Sequence, residues 1–186
     1  MKIRIFAILS LIAGSFAMAS CIDEEATDEV ILANDKAAIN AYIDTTTIVN
    51  VKEFHDEASG LRIIWQEVSD SGMGVTNGDT LKVDYIGKLL SNKVFDTSIK
   101  QVAVDGGIFA STRVYTPLEF PVGFNLLIPG FEFGVGQMEQ GDKATVFIPS
   151  RYAYGQQGTN GVVPIPSNAP IMFELNLIEV TQGPQQ

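Results

Sequence analysis

The 186-residue sequence predicts an α+β fold: a curved antiparallel β-sheet wrapped around one short helix, with an N-terminal helical extension. Three observations carry this. Apolar residues alternate with polar ones at Leu81, Val83, Tyr85, Gly87 and Leu89, the period of a strand with one buried face. The pattern repeats at Ala144, Val146 and Ile148, and at Ile171, Phe173, Leu175 and Leu177. Between these strands, Phe131, Val135 and Met138 switch to helical spacing, and many strands around one internal helix fit a helix layered on an antiparallel sheet.

The chain opens on what reads as an export signal, residues 1–20. Lys2 and Arg4 form a basic start, Ile5 to Phe16 a short apolar core, and Ala17-Met18-Ala19-Ser20 a run of mostly small residues before a cut. A membrane span would need roughly 20 apolar residues, and this run is shorter. Cys21 is the one cysteine, so no disulfide can form within the chain. Met18-Ala19-Ser20-Cys21 resembles a bacterial lipobox, in which the cysteine is acylated and becomes the first residue; leucine is commonest where Met18 stands. That resemblance implies an exported, membrane-anchored lipoprotein, of the outer membrane, facing the periplasm or the surface. The alternative is a cut elsewhere that leaves a free thiol. Ile22-Asp23-Glu24-Glu25 then reads as a solvated tether, although some lipoproteins carry a similar acidic patch that routes them to the cell surface.

Residues 21–60 form the tether and N-terminal helix, and 61–182 the main domain. Val30 to Thr45 has helical spacing, with Ile31, Ala38 and Tyr42 on one side and Asn34 and Asp35 near its start. Ile48 to Val51 reads as a short strand, and Leu61 to Val68 as an apolar one. Gly72-Met73-Gly74 and Asn77-Gly78-Asp79 mark turns before the alternating strands. In the internal helix Gly134 and Gly136 each cost about 1 kcal/mol relative to alanine, and their missing side chains would let a sheet approach closely.

The net charge is −10; removing residues 1–20 takes away two positive charges and leaves −12. With no cluster of Lys or Arg to offset it, such a chain repels nucleic acid and anionic membrane surfaces. His55 is the only histidine and precedes the main domain, which disfavours Ser–His or Cys–His catalysis and a structural zinc site. Gly155-Gln156-Gln157-Gly158 lacks the lysine of a phosphate-binding loop. No metal or cofactor is implied.

What the chain does offer, in order, is Tyr85-Ile86-Gly87, Val94-Phe95-Asp96, Pro117-Leu118-Glu119-Phe120, Leu127-Ile128-Pro129-Gly130-Phe131, Gly141-Asp142-Lys143-Ala144, Tyr152-Ala153-Tyr154-Gly155, Val162-Val163-Pro164 and Phe173-Glu174-Leu175. Together these pieces resemble an FK506-binding-protein-type peptidyl-prolyl isomerase domain. The resemblance implies catalysis of X–Pro bond rotation in exported, proline-containing polypeptides, with a macrolide as a further possible ligand. It places the catalytic residues at Tyr85, Phe95, Asp96, Tyr154 and Phe173, and substrate-binding residues at Leu118, Leu127, Ile128, Phe131 and Val163. Phe131 would floor the proline site, with Tyr85, Phe95, Val163 and Phe173 as walls. The Tyr154 hydroxyl and the Ile128 N–H would hold substrate carbonyls, and Asp96, at the edge, would either order Tyr85 or act on the strained amide carbonyl through polar neighbours. Each apolar member could equally be plain core, and Asp96 a cap for the turn at Thr97-Ser98. The family commonly has tryptophan where Phe131 stands and phenylalanine where Leu118 stands, and the stretch from Ile99 to Thr116 is longer than in its smallest members. The alternative function is a catalytically weak peptide-binding chaperone on the same fold.

Overall fold

The computed structural model describes residues 27–184; the export signal, Cys21 and the acidic run after it lie outside the described residues. Strands β1 (Lys52–His55), β2 (Arg62–Glu67), β3 (Thr80–Leu89), β4 (Val94–Thr97), β5 (Leu118–Pro121), β6 (Lys143–Ile148) and β7 (Ile171–Thr181) make one antiparallel sheet. Its order is β1-β2-β6-β7-β3-β4. Strand β5 joins β3 on the same flank as β4: β4 pairs with Ile86 to Lys88 and β5 with Thr80 to Val83. The chain between β4 and β5 therefore leaves the sheet beside Asp84 and Tyr85.

The alternation in β3 is seen as expected, with Leu81, Val83, Tyr85 and Gly87 buried. These residues, with Val146, Ile148, Phe173 and Leu175, face α3 (Pro129–Gly136) across the main core. Helix α3 begins with Pro129, whose missing N–H costs nothing in the first turn. Glu132 reaches back to accept from the Leu127 N–H at 3.0 Å, a carboxylate placed at the positive end of the helix. Two glycines let the sheet close on α3. A Cβ on Gly134 would stand 2.7 Å from the Val146 methyls, and one on Gly130 would stand 2.3 Å from Ile148 Cγ2. Gly136 has nothing within 4 Å, so the packing argument holds for Gly134 and extends to Gly130 but not to Gly136.

The N-terminal helix differs from its sequence-based outline. Helix α1 spans Asp28–Thr45 and is capped by Thr27, whose hydroxyl accepts from the Val30 N–H at 3.4 Å. Its buried residues are Ile31, Asp35 and Ile39 rather than Ala38, and Asp35 lies mid-helix rather than at the start. This face covers the outer side of the sheet, where Ile39 packs with Ile64, Phe147 and Met172 in a second, smaller core. Strand β6 is therefore buried on both faces from Ala144 onward. The first strand begins at Lys52, after the apolar Ile48–Val51 run that resembled one. A further helix, α2 (Lys100–Asp105), forms inside the stretch between β4 and β5.

Candidate active site

The concave side of the sheet and the N-terminus of α3 enclose a cup of about 490 Å³. Its lining includes Tyr85 from β3, Asp96 from β4, Leu118 from β5, and Leu127, Ile128 and Phe131 from the loop and first turn of α3. Tyr154 comes from the turn after β6, and Phe173 from β7. Leu126 and Pro129 join them without having been expected. Phe95 stands directly behind this lining, 6.3 Å from the Tyr154 ring and 5.6 Å from the Phe173 ring, both edge-on.

The rings hold one another in place. Phe131 meets Phe173 edge-to-face at 5.0 Å and Tyr85 at 6.1 Å, while Tyr85 meets Phe173 at 6.0 Å. Such pairs add about 0.5–1.5 kcal/mol each beyond burial. Gly87 makes room for the wall: a Cβ there would stand 2.6 Å from the Phe95 ring and 2.8 Å from that of Phe173.

One polar cluster sits at the edge. The Tyr85 hydroxyl donates to Asp96 Oδ2 at 2.8 Å and accepts from Arg113 Nη2 at 3.0 Å. Arg113 Nη1 bonds the other oxygen of Asp96, which also takes the Thr97 N–H at 2.9 Å. Asp96 thus orders Tyr85 and caps the turn as well. Burial, and then the Asp96 acceptor, push the Tyr85 hydroxyl well above its ordinary pKa, so it remains a donor across the physiological range. Burial also raises that of Tyr154, with the Asp96 charge adding to it. Arg113 pairs with the carboxylate, so among the described residues that line the cup no charge stands unpaired. Among the described residues the Tyr154 hydroxyl and the Ile128 N–H have no intramolecular partner, and both belong to residues that line the cup.

Two expected residues, Phe95 and Val163, fall outside the cup lining. Phe95 still packs on its Tyr154 and Phe173 walls, whereas Val163 lies in a neighbouring hollow with Ile86, Val94 and Val102. The loop after Tyr154 closes on itself where the Thr159 N–H meets the Ile165 carbonyl at 2.9 Å. Ile165 takes the buried place and Val163 is carried to the side. Arg113 was missed as a site residue because it lies in the longer stretch between β4 and β5. The available signal was that it is the only basic residue between Lys100 and Lys143.

A sheet curved over a short helix and closing an aromatic cup is the architecture of the FK506-binding-protein type. The sequence comparisons agree: the family described as FKBP-type peptidyl-prolyl cis-trans isomerase matches residues 72–178, and the chain belongs to that family. It is 42% identical over 92 residues to the short-type peptidyl-prolyl cis-trans isomerase of Methanocaldococcus jannaschii, covering 50% of this chain and 58% of that protein. It is 35% identical over 114 residues to peptidyl-prolyl cis-trans isomerase FPR2 of Saccharomyces cerevisiae, covering 61% and 73%. It is 38% identical over 104 residues to FK506-binding protein 2 of Dictyostelium discoideum, covering 56% and 67%.

Proposed function

We propose that the chain is a peptidyl-prolyl cis-trans isomerase that turns X–Pro bonds of exported polypeptides in its aromatic cup. The observation that carries this reading is the convergence of Tyr85, Phe131, Tyr154 and Phe173 on one hollow, with Phe95 behind. The barrier to rotation is ~18–20 kcal/mol because twisting breaks amide resonance, and uncatalysed X–Pro exchange takes tens to hundreds of seconds. The twisted imide has less charge separation than the planar one. A cup that excludes water therefore favours the twisted state over the ground state. Phe131 supports the proline ring, while the Tyr154 hydroxyl and Ile128 N–H hold carbonyls on either side. No proton is transferred, so Asp96 works through Tyr85 and not as a base. A barrier lowered by about 7 kcal/mol would give roughly 10⁵-fold acceleration.

The test is exchange of a Leu-Pro or Phe-Pro peptide, with a macrolide competitor as a specificity control. Activity should fall strongly in Phe95→Ala and Tyr154→Phe with the fold intact; full activity in both would overturn the assignment. A second reading, a weakly catalytic peptide-binding module, is favoured by Phe131 and Leu118, which make the cup less aromatic than the family commonly has. Peptide binding without exchange would establish it.

Cys21 we read as an acylation site that tethers the protein to the outer membrane on its periplasmic or surface side. Support comes from the sequence around it alone. Loss of acyl labelling and of detergent partitioning in Cys21→Ala is the expected result.

A further inference from the structure

The N-terminal helix reaches the chain that carries Tyr154. Asp35, 3% exposed in the middle of α1, accepts through Oδ2 both the backbone N–H of Ser150 at 2.7 Å and its hydroxyl at 2.6 Å. Ser150 opens a tight turn that continues with the Ala153 N–H donating to the Ser150 carbonyl at 2.9 Å, and Tyr154 follows at once. Next to Asp35, Lys36 packs on Gly60, and Gly60 in turn lies against Pro149 at the root of the same turn. The helix therefore grips this turn from its outer side, while Tyr154 faces the cup on the inner side.

A carboxylate is a costly choice for this place. It shares the buried face of α1 with Ile31 and Ile39, where an apolar residue would pack without losing hydration. What an apolar residue cannot do is satisfy two donors that the turn presents to the interior. Asp35 also lies outside the stretch that matches the family, residues 72–178, so the contact is an addition to the matched region.

We propose that Asp35 is a positioning residue for the isomerase site: by holding Ser150 it sets the location of the Tyr154 hydroxyl over the cup. This rests on the isomerase reading above. Without the acceptor the turn pivots, and displacement of a positioned group by about 1 Å can cost up to about 10²-fold in rate.

The experiment measures prolyl exchange on the full chain, at a temperature where circular dichroism shows every variant folded. Asp35→Ala is expected to lower kcat/KM about tenfold and Ser150→Ala about threefold, whereas Asp35→Asn, which keeps an oxygen acceptor, stays within about twofold of wild type. In a Tyr154→Phe background, Asp35→Ala should add less than about twofold, because the hydroxyl it positions is gone. Wild-type kcat/KM in folded Asp35→Ala and Ser150→Ala overturns the role, as does an equal loss in Asp35→Asn or an undiminished effect in the Tyr154→Phe background. If Asp35→Ala does not fold, Ser150→Ala with and without Tyr154→Phe decides alone. An inactive wild type would overturn the isomerase reading and the positioning role together; an active wild type with unaffected variants overturns the positioning role only.

Discussion

The Tyr85 hydroxyl stands between a carboxylate and a guanidinium, and that placement explains why an acid can sit at the rim of an apolar cup. Asp96 is bonded on both oxygens, by the Tyr85 hydroxyl on one and by Arg113 and the Thr97 N–H on the other. A second aspartate, Asp142, plays a purely structural part away from the cup. It is 1% exposed and accepts from the Trp65 indole at 2.9 Å, the Glu139 N–H at 2.9 Å and the Ser69 N–H at 2.7 Å. Asp142→Ala orphans three donors at about 1–3 kcal/mol each. With water recovering part of this, a loss of about 3 kcal/mol is expected in urea unfolding, with kcat/KM unchanged where the protein stays folded. The two aspartates differ in how legible they were. Asp96 stands next to Phe95 in a recognisable motif, so its link to Tyr85 could be anticipated. Arg113 completes that cluster from a stretch whose length varies, where neither spacing nor periodicity points at a partner. Leu126 was hidden for a different reason: it is the first of three consecutive apolar residues, Leu126 to Ile128, in a loop with no period to say which of them face the cup.

Among the elements, those with a regular apolar period were readable and those fixed by a single contact were not. Strands β3 and β7 and helix α3 follow from alternation and helical spacing. Helix α2 has six residues, no side-chain cap and one buried residue, Ala103, so its sequence carries almost no signal. Helix α1 was readable as a helix, but its buried face was not: a charged residue, Asp35, occupies the interior position. Helix α3 supplies a direct test of packing against propensity. Alanine in place of glycine favours a helix by about 1 kcal/mol. At Gly134 the new methyl would overlap Val146, and overpacking typically costs about 1–3 kcal/mol. Gly134→Ala should therefore lower the melting temperature, while Gly136→Ala, which meets nothing, should leave it unchanged or raise it.

At the scale of the whole molecule, α1 ties distant parts of the sheet together. Lys36 Nζ donates to the Glu57 carbonyl in the β1–β2 turn at 2.5 Å, Tyr42 donates to Asn92 at the β3–β4 tip at 2.6 Å, and Asp35 holds Ser150. The pH dependence of this arrangement has a definite sign. Burial raises the folded-state pKa of Asp35 above its ordinary 3.8, outweighing the two bonds from Ser150. Its contribution to stability is complete below the ordinary value and declines as pH rises through the folded one. Asp35→Asn cannot acquire that charge. The variant should match wild type in urea at about pH 3 and exceed it at about pH 7; a gap that closes with rising pH would contradict the sign. One further consequence comes from the position of the lone indole. Trp65 is buried in β2 and bonded to Asp142, while the floor of the cup is a phenylalanine. Tryptophan emission, excited at a wavelength that tyrosine does not absorb, will therefore stay dark to ligand occupancy and shift only when the chain unfolds, so a single emission trace follows denaturation cleanly even in saturating peptide.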